Sequence, residues 1–304
     1  MSDTGLLTSW QPPFPLDIPA LLAPLRRGAG DPAFQRDELG AVWLVANTAA
    51  GVGTLSLRRV GREVVAGGWG PGADELLDGV PALLGAEDDP EGFQAFHPIV
   101  AEVRRRMPGL RLGSVGRVWD VLFAAVLEQK VTGYEARRSW RELCRRFGTA
   151  APGPVPARMF APPTPRAVLG IADWEWHRAG VDGARRRTLI NAAQVAHRLE
   201  GAVALRGEAG RALLRKVPGI GVWTAAEVAQ RAWGDADAVS VGDFHIPSIV
   251  GYALLGHKLD DDGMLEVLAP YAPHRHRAVR YLEASGFRKP RFGPRFSPRD
   301  YRSL

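Results

Sequence analysis

Residues 213–226 read Leu-Leu-Arg-Lys-Val-Pro-Gly-Ile-Gly-Val-Trp-Thr-Ala-Ala and contain the strongest structural signal in the sequence. Two short helical patterns flank the Pro-Gly-Ile-Gly of residues 218–221. Glycine tolerates a positive φ in a tight turn and lets a ligand approach the backbone closely. The stretch therefore predicts two helices joined by a tight turn.

The start of the second helix is predicted to bind an anion. Gly221 and Val222 open this helix, where free backbone N–H groups and the helix dipole favour negative charge. Arg215 and Lys216 add positive charge just before the turn. This combination suits a DNA phosphate, read without regard to base sequence. An ordinary helical hairpin, whose glycines only make the turn, is the alternative that the pattern leaves open.

A single carboxylate follows the hairpin at a short distance. Asp243 lies in the stretch Val-Gly-Asp-Phe-His-Ile of residues 241–246, directly before the apolar run 244–255. Aspartate is frequent at helix N-caps, so a purely structural role is one interpretation. A catalytic carboxylate is the other, and one side chain can fill both roles.

The hairpin followed by this aspartate resembles the helix-hairpin-helix DNA glycosylase superfamily, and within it the 3-methyladenine DNA glycosylase II type of bacteria. The resemblance covers nearly the whole chain. Residues 108–112, leading into 126–132, are similar to the helix that faces the lesion, residues 163–165 and 180–193 are similar to the next helices, and the strand-rich start resembles the family's N-terminal antiparallel sheet domain. The resemblance implies a monofunctional enzyme that flips an alkylated base out of duplex DNA and hydrolyses its N-glycosidic bond, which starts base excision repair.

The resemblance also implies roles for individual residues. Asp243 matches the family's catalytic carboxylate, which stabilises the positive charge that develops on the sugar. Trp223 stands where strand-cleaving members carry their Schiff-base lysine, so no lyase activity is expected. Trp223 and Gln129 match residues that line the base pocket, and Phe244 offers a second aromatic face.

Three positions depart from the family pattern and leave the substrate open. Lys130 replaces an apolar wedge, Glu227 replaces an aromatic residue, and His274 is the nearest match to a pocket tryptophan. We assign Glu227 and His274 to the base pocket. A Glu227 carboxylate beside Trp223 would attract a base made cationic by alkylation, whereas an ion pair with Arg231 would remove that attraction.

Two further function classes stay open at this point: a glycosylase for deaminated or oxidised bases, and a non-catalytic DNA-damage-binding protein. The residues expected to contact double-stranded DNA are Lys130, Lys216, Gly219, Gly221, Val222 and Thr224.

The fold class predicted is α+β and mainly α. Alternating apolar residues broken by glycine at residues 41–66 predict an antiparallel sheet, and from residue 73 the pattern is helical. We expect a small sheet domain at 1–72, a helical glycosylase domain at 73–287, and a basic Pro/Arg-rich tail at 288–304. Residues 149–165 are Pro- and Ala-rich and are predicted to be a linker.

Composition restricts the remaining possibilities. The net charge of +6 suits a polyanion partner. The single cysteine, Cys144, lies on the apolar stripe of a predicted helix and excludes an internal disulfide or a multi-cysteine cluster. His274 and His276 do not share a helix face at i, i+2, so a solvated or phosphate-facing role is favoured over a metal site.

The cellular setting is predicted from the same data. The sequence shows neither a signal peptide nor an apolar run of membrane-spanning length. We therefore expect a cytoplasmic, nucleoid-associated monomer that needs no organic cofactor or metal. The family's hairpin can hold a monovalent cation through backbone carbonyls, and this is the one ion that the resemblance implies.

Overall fold

The structure, a computed structural model, describes residues 5–290. Residues 291–304 lie outside the described part, and with them most of the predicted basic tail. Within residues 5–290 no helix is long and apolar enough to cross a membrane.

A five-stranded antiparallel sheet forms the N-terminal part of the described chain, in the order β1-β5-β4-β3-β2. The strands are β1 (Leu6–Trp10), β2 (Phe34–Arg36), β3 (Val42–Thr48), β4 (Gly51–Val60) and β5 (Glu63–Trp69). The three central strands confirm the sequence prediction. The two edge strands were not predicted, because β2 has only three residues and β1 is mostly exposed, so neither shows alternation.

The sheet buries one face, as the alternation of apolar and polar residues along its strands requires. Leu55 and Leu57 of β4 are each 1% exposed and pair with Leu44 and Val42 of β3. Their core also includes residues of the following helices as far as Leu84. The packing of the sheet therefore continues past residue 72, where the sequence pattern changes from strand to helix.

Helices make up the rest of the described chain. They are α1 (Ile18–Leu22), α2 (Ala73–Asp78), α3 (Val80–Leu83), α4 (Pro98–Arg106), α5 (Trp119–Leu127), α6 (Gly133–Phe147), α7 (Pro165–Leu169), α8 (Asp173–Arg178), α9 (Gly183–Gln194), α10 (Ala196–Leu199), α11 (Ala202–Leu205), α12 (Gly207–Arg215), α13 (Val222–Ala232), α14 (Ile246–Leu254), α15 (Asp261–Leu268) and α16 (Arg275–Ala284). Short 3₁₀ turns occur at Ala23–Leu25 and Ala269–Tyr271. The α+β, mainly α fold class is thus confirmed.

Helix α5 is the centre of the helical part. All its residues except Asp120 are buried, as its almost continuous apolar sequence predicts, and it packs against α6, α9 and α13. Cys144 on α6 is fully buried, and burial raises the pKa of its thiol well above the ordinary value. The prediction of a core thiol is confirmed.

Residues 149–165 are more than the linker that the sequence predicts. They lack regular structure apart from an isolated bridge between Ala150 and Phe160. Met159 and Ala161 are nevertheless buried, and they pack with Val45 of β3. The segment packs beside the sheet because its few apolar side chains are buried against apolar residues of β3.

Candidate active site

The predicted hairpin consists of α12, the turn 216–221 and α13. Gly219 has a φ of +94°, and a Cβ atom there would lie 2.0 Å from Thr188 Oγ1 on α9. Both the backbone conformation and the lack of space therefore require glycine at this position. The turn is held tightly against α9.

Gly221, by contrast, faces open space. Its φ of −91° suits any residue, and no atom lies within 4 Å of a Cβ built there. No side chain caps the first turn of α13 among the described residues, so its amides remain available to an external anion. Lys216 and Val222 are exposed on either side of the turn.

Gln129 joins the end of α5 to the hairpin. Its Nε2 donates to Gly219 O over 3.0 Å and to Thr224 Oγ1 over 2.8 Å. Thr224 is only 2% exposed, so its side chain faces Gln129 and not the surface. The Gln129 amide thus positions the hairpin, and both of its N–H donors are already used.

Lys130 occupies the tip of the turn between α5 and α6. It is exposed and has a φ of +52°, an uncommon conformation for a residue with a side chain. The long, charged side chain is free to extend from the turn into solvent. This placement suits a phosphate contact better than a wedge.

Asp243 is fixed by hydrogen bonds to both carboxylate oxygens. Oδ2 accepts from Trp223 Nε1 over 3.0 Å. Oδ1 accepts from the backbone N–H groups of His245 and Ile246, at 2.7 and 2.9 Å, where α14 begins. The side chain therefore caps α14, and two predicted site residues, Asp243 and Trp223, are brought into contact.

Glu227 is part of a partly buried polar network one turn beyond Trp223. Its carboxylate accepts from Arg231 Nη1 over 2.9 Å and from Ser240 Oγ over 2.6 Å. Although burial opposes the charge, the Glu227 and Glu128 carboxylates raise the pKa of Arg231 above its ordinary value. The ion pair that the sequence left as an alternative is the arrangement in the structure.

A cleft of about 550 Å³ opens beside Asp243. Its walls come from the segment around α1, from α13, from the loop before α14 and from α16. The polar residues among those that line it are Arg111, Arg137, Glu227, Gln230, Arg231, Ser240, Asp243, His245, His276, Arg280 and Glu283. It is large enough for a small heterocycle and is lined by charged groups of both signs.

Of the predicted pocket residues, Glu227 lines the cleft, whereas Gln129, Trp223, Phe244 and His274 lie outside its lining. His274 packs its ring edge on Phe93, 6.0 Å between centroids, and accepts from Arg277 Nε. Its place at the N-cap of α16 turns it away from the cleft. Phe244 is 71% exposed and lies outside the cleft lining, beside Lys289. Burial and Arg277 lower the pKa of His274.

The solvated role predicted for His276 is wrong, because His276 is 7% exposed and lines the cleft. The signal was present: with α16 starting at Arg275, residues His276, Val279, Arg280 and Glu283 recur at i, i+3, i+4 and i+7 and share one helix face. His274, the nearest match to the family's pocket tryptophan, lies two positions before this face of the helix begins.

Lys289 was also missed, because it follows the last helix. Its Nζ lies 3.3 Å from His245 Nδ1 and 6.0 Å from the centre of the Phe244 ring. Burial lowers its pKa, and Lys258 adds to that effect, although Asp243 opposes it. An amine therefore lies close to the candidate carboxylate.

The same architecture occurs in solved structures of DNA glycosylases. The 3-methyladenine DNA glycosylase from Archaeoglobus fulgidus aligns with a TM-score of 0.73 and 15% identity, covering 90% of this chain and 96% of that chain. The protein MBOgg1 in complex with a low-affinity DNA ligand gives 0.73 and 15%, covering 93% and 96%.

A third structure, the apo form of the 8-oxoguanine glycosylase/lyase of Clostridium acetobutylicum, gives a TM-score of 0.68 and 12% identity, covering 89% of this chain and 93% of that chain. No protein-family model and no curated protein sequence matches the chain. The chain thus has the fold of the helix-hairpin-helix DNA glycosylases.

Proposed function

We propose that this protein is a DNA glycosylase, with Asp243 as its catalytic carboxylate. One observation supports this most strongly: Asp243 is held by Trp223 and by the start of α14 at the edge of a 550 Å³ cleft, next to a hairpin with an open helix N-terminus. A carboxylate near a polyanion is costly for binding alone and useful for catalysis.

The chemistry requires a fixed negative charge. Breaking an N-glycosidic bond builds positive charge on the sugar, as in glycoside hydrolysis. A carboxylate oriented in advance stabilises that charge without reorganising, and it can also orient or deprotonate the attacking water. The three hydrogen bonds to Asp243 supply the orientation.

Hydrolysis without strand cleavage is the reaction that the residues favour. A lyase needs an amine nucleophile, and Trp223 has none at the position where strand-cleaving relatives in the superfamily carry lysine. The Lys289 amine contacts His245, and the charge of Asp243 acts on its pKa. We assign Lys289 to binding of the DNA backbone and propose a monofunctional enzyme.

Duplex DNA would be held through its phosphates. The uncapped start of α13, with Gly221 and Val222 exposed, would receive one phosphate, and the exposed Lys130 and Lys216 would neutralise others. Holding the duplex there places the candidate cleft over one base, which must leave the stack to enter it.

An alkylated base is the first substrate candidate. The resemblance implies it, and the fold is shared with a 3-methyladenine DNA glycosylase. Trp223 beside Asp243 offers an aromatic face for a cationic ring. Alkylated bases also have weakened glycosidic bonds, so modest catalysis suffices to remove them.

A neutral deaminated or oxidised base is the second candidate, favoured by the state of Glu227. Because its carboxylate is paired with Arg231 and Ser240, it presents no free negative charge to a cationic base. The paired groups instead form a wall of hydrogen-bonding partners, which suits a base with carbonyl and N–H groups on its edge.

We propose that catalysis needs no organic cofactor. For the monovalent cation that the resemblance implies, the turn offers carbonyls, but Gly219 O already accepts from Gln129 and Val217 O accepts from Ile220 N. The turn is therefore held by protein hydrogen bonds, and no step of the proposed reaction passes through an ion.

Release of free bases tests the proposal. The purified protein should liberate bases from methylated genomic DNA, identified by chromatography, and leave abasic sites that break only after alkali. Borohydride treatment during the reaction should trap no covalent protein–DNA complex. Absence of base release from methylated, deaminated and oxidised DNA alike would contradict a glycosylase; trapping at Lys289 would contradict the monofunctional assignment alone.

A further inference from the structure

His276 is a buried imidazole in the wall of the cleft that holds Asp243. It is 7% exposed and lies on the face of α16 that lines the cleft with Val279, Arg280 and Glu283. It comes from a different part of the chain than the hairpin and the carboxylate. It therefore contributes to the wall of the space that a base would occupy.

Neither ring nitrogen of His276 is among the buried side-chain atoms of residues 5–290 that lack a hydrogen-bond partner. A ring nitrogen that is not hydrogen-bonded within the protein therefore reaches the solvent of the cleft. The half-buried histidines His97 and His274 have protein partners: the first contacts the Tyr271 hydroxyl at 2.7 Å and the second accepts from Arg277. A ring nitrogen that is open to the cleft can bond a ligand directly.

The surroundings keep this imidazole uncharged. Burial, together with Arg280, Arg231 and Arg277, lowers the pKa of His276 well below its ordinary value. A neutral imidazole has one N–H donor and one lone-pair acceptor. Whichever nitrogen faces the cleft, it offers a directed hydrogen bond and no charge to a ligand.

We infer that His276 reads the flipped base, by a hydrogen bond to a carbonyl or ring N–H on the edge of that base. The inference rests on the proposed glycosylase function and deepens it by naming a specificity-determining residue. His276 would not take part in bond breaking, since the Asp243 carboxylate supplies the negative charge that this step requires. Its effect would be to hold a base in the cleft long enough to react.

A preference among bases follows from this hydrogen bond. Sites that bond a substrate group reject analogues lacking it more strongly than apolar pockets reject a change in size, because the buried partner is left unpaired. Guanine-type, hypoxanthine and uracil edges offer a carbonyl and an N–H, and adenine-type edges offer a ring nitrogen and an amino group. We therefore expect a base that bonds His276 to be preferred over an analogue that lacks the bonding group.

Matched histidine variants provide the kinetic test. His276→Phe keeps the ring volume but removes hydrogen bonding, His276→Gln keeps a donor and an acceptor, and His274→Phe changes the neighbouring histidine outside the cleft. Single-turnover excision of 7-methylguanine should fall about tenfold in His276→Phe, the size of one hydrogen bond. His276→Gln and His274→Phe should stay within about threefold of wild type.

Nitrogen-15 NMR of the wild-type protein is the second readout, which a merely structural role would not change. The His276 ring signals, assigned by comparison with His276→Gln, should shift when a duplex carrying a non-cleavable 2′-fluoroarabino-7-methylguanosine is added, and not with the unmodified duplex. This measurement decides the matter if His276→Phe folds poorly.

The outcomes separate this inference from the function on which it rests. The role of His276 would be overturned if His276→Phe excised the base at the wild-type rate, or if the His276 ring signals did not shift on addition of the lesion duplex. Either result would leave an active glycosylase. No base release by the wild-type protein would overturn the glycosylase function first and the role of His276 with it.

Discussion

The Trp223 indole N–H donates to Asp243 Oδ2 over 3.0 Å, which connects the hairpin helix α13 to the loop before α14 across 20 residues of sequence. The bond fixes the orientation of the carboxylate and engages the indole nitrogen. It also joins the proposed DNA-binding element to the proposed catalytic group.

Replacing Asp243 by Asn should abolish most base excision while preserving DNA binding. The amide keeps the size and the oxygen that caps α14 but removes the charge, a loss that typically costs about 2.7–4 kcal/mol, or 100- to 1,000-fold in rate. Asp260→Asn is the matched control, because Asp260 caps α15 through Gly263 N and lies outside the cleft. Single-turnover excision near the wild-type rate in Asp243→Asn would rule out the catalytic assignment.

The two hairpin glycines should respond differently to alanine. Gly219→Ala forces a side chain into a positive φ against Thr188 and should destabilise the fold by roughly 1–3 kcal/mol. Gly221→Ala meets no atom in the free protein, so its Tm should be unchanged while its affinity for undamaged duplex falls severalfold.

Thermal unfolding and fluorescence anisotropy at several salt concentrations separate these effects. Wild-type affinity should fall steeply as salt rises, since phosphate binding releases counterions. Unchanged affinity in Gly221→Ala would mean that DNA does not approach the start of α13.

Glu227→Gln should alter stability more than specificity. Because Arg231 compensates the Glu227 charge, the ratio of 7-methylguanine to uracil excision should stay within about threefold of wild type. The variant leaves Arg231 buried without its partner, which should cost up to about 3 kcal/mol. A double variant, Glu227→Gln with Arg231→Gln, should recover part of that loss. A tenfold fall in the ratio would instead show that Glu227 attracts cationic bases.

His276 should make the fold acid-sensitive. Its pKa in the folded protein lies well below the usual 6.5, so below about pH 6.5 the unfolded chain binds a proton that the folded chain excludes. The free energy of unfolding should therefore be unaffected above that pH and decrease as pH falls, by up to about 1.4 kcal/mol per pH unit for this residue. His274, whose pKa is also lowered, contributes in the same direction.

Urea unfolding at pH 7.5, 6.0 and 5.0 measures this slope. His276→Phe should reduce it, whereas His197→Gln, at an exposed histidine, should leave it unchanged. An identical slope in His276→Phe and wild type would show that the buried imidazole is not the source of acid sensitivity.

The sequence by itself determined the elements whose signals are local. Alternation with glycine turns predicted strands β3 to β5, a continuous apolar run predicted the buried helix α5, and Pro-Gly-Ile-Gly predicted the hairpin turn. The position of Asp243 before an apolar helix suggested an N-cap; the N-cap is His245, and the Asp243 carboxylate accepts from His245 N and from Ile246 N in the first turn of α14. These features depend on residues that are close together in the chain, so the order of residues is enough to predict them.

Only the tertiary structure decided which side chains meet in the cleft. Glu227 could face a base or pair with Arg231, and the position of Ser240, 13 residues away, completes the pairing. His274 and His276 are indistinguishable by composition, and the point at which α16 begins selects the second. Distance and burial between remote segments are set by how the helices pack, and no spacing within one helix contains that information.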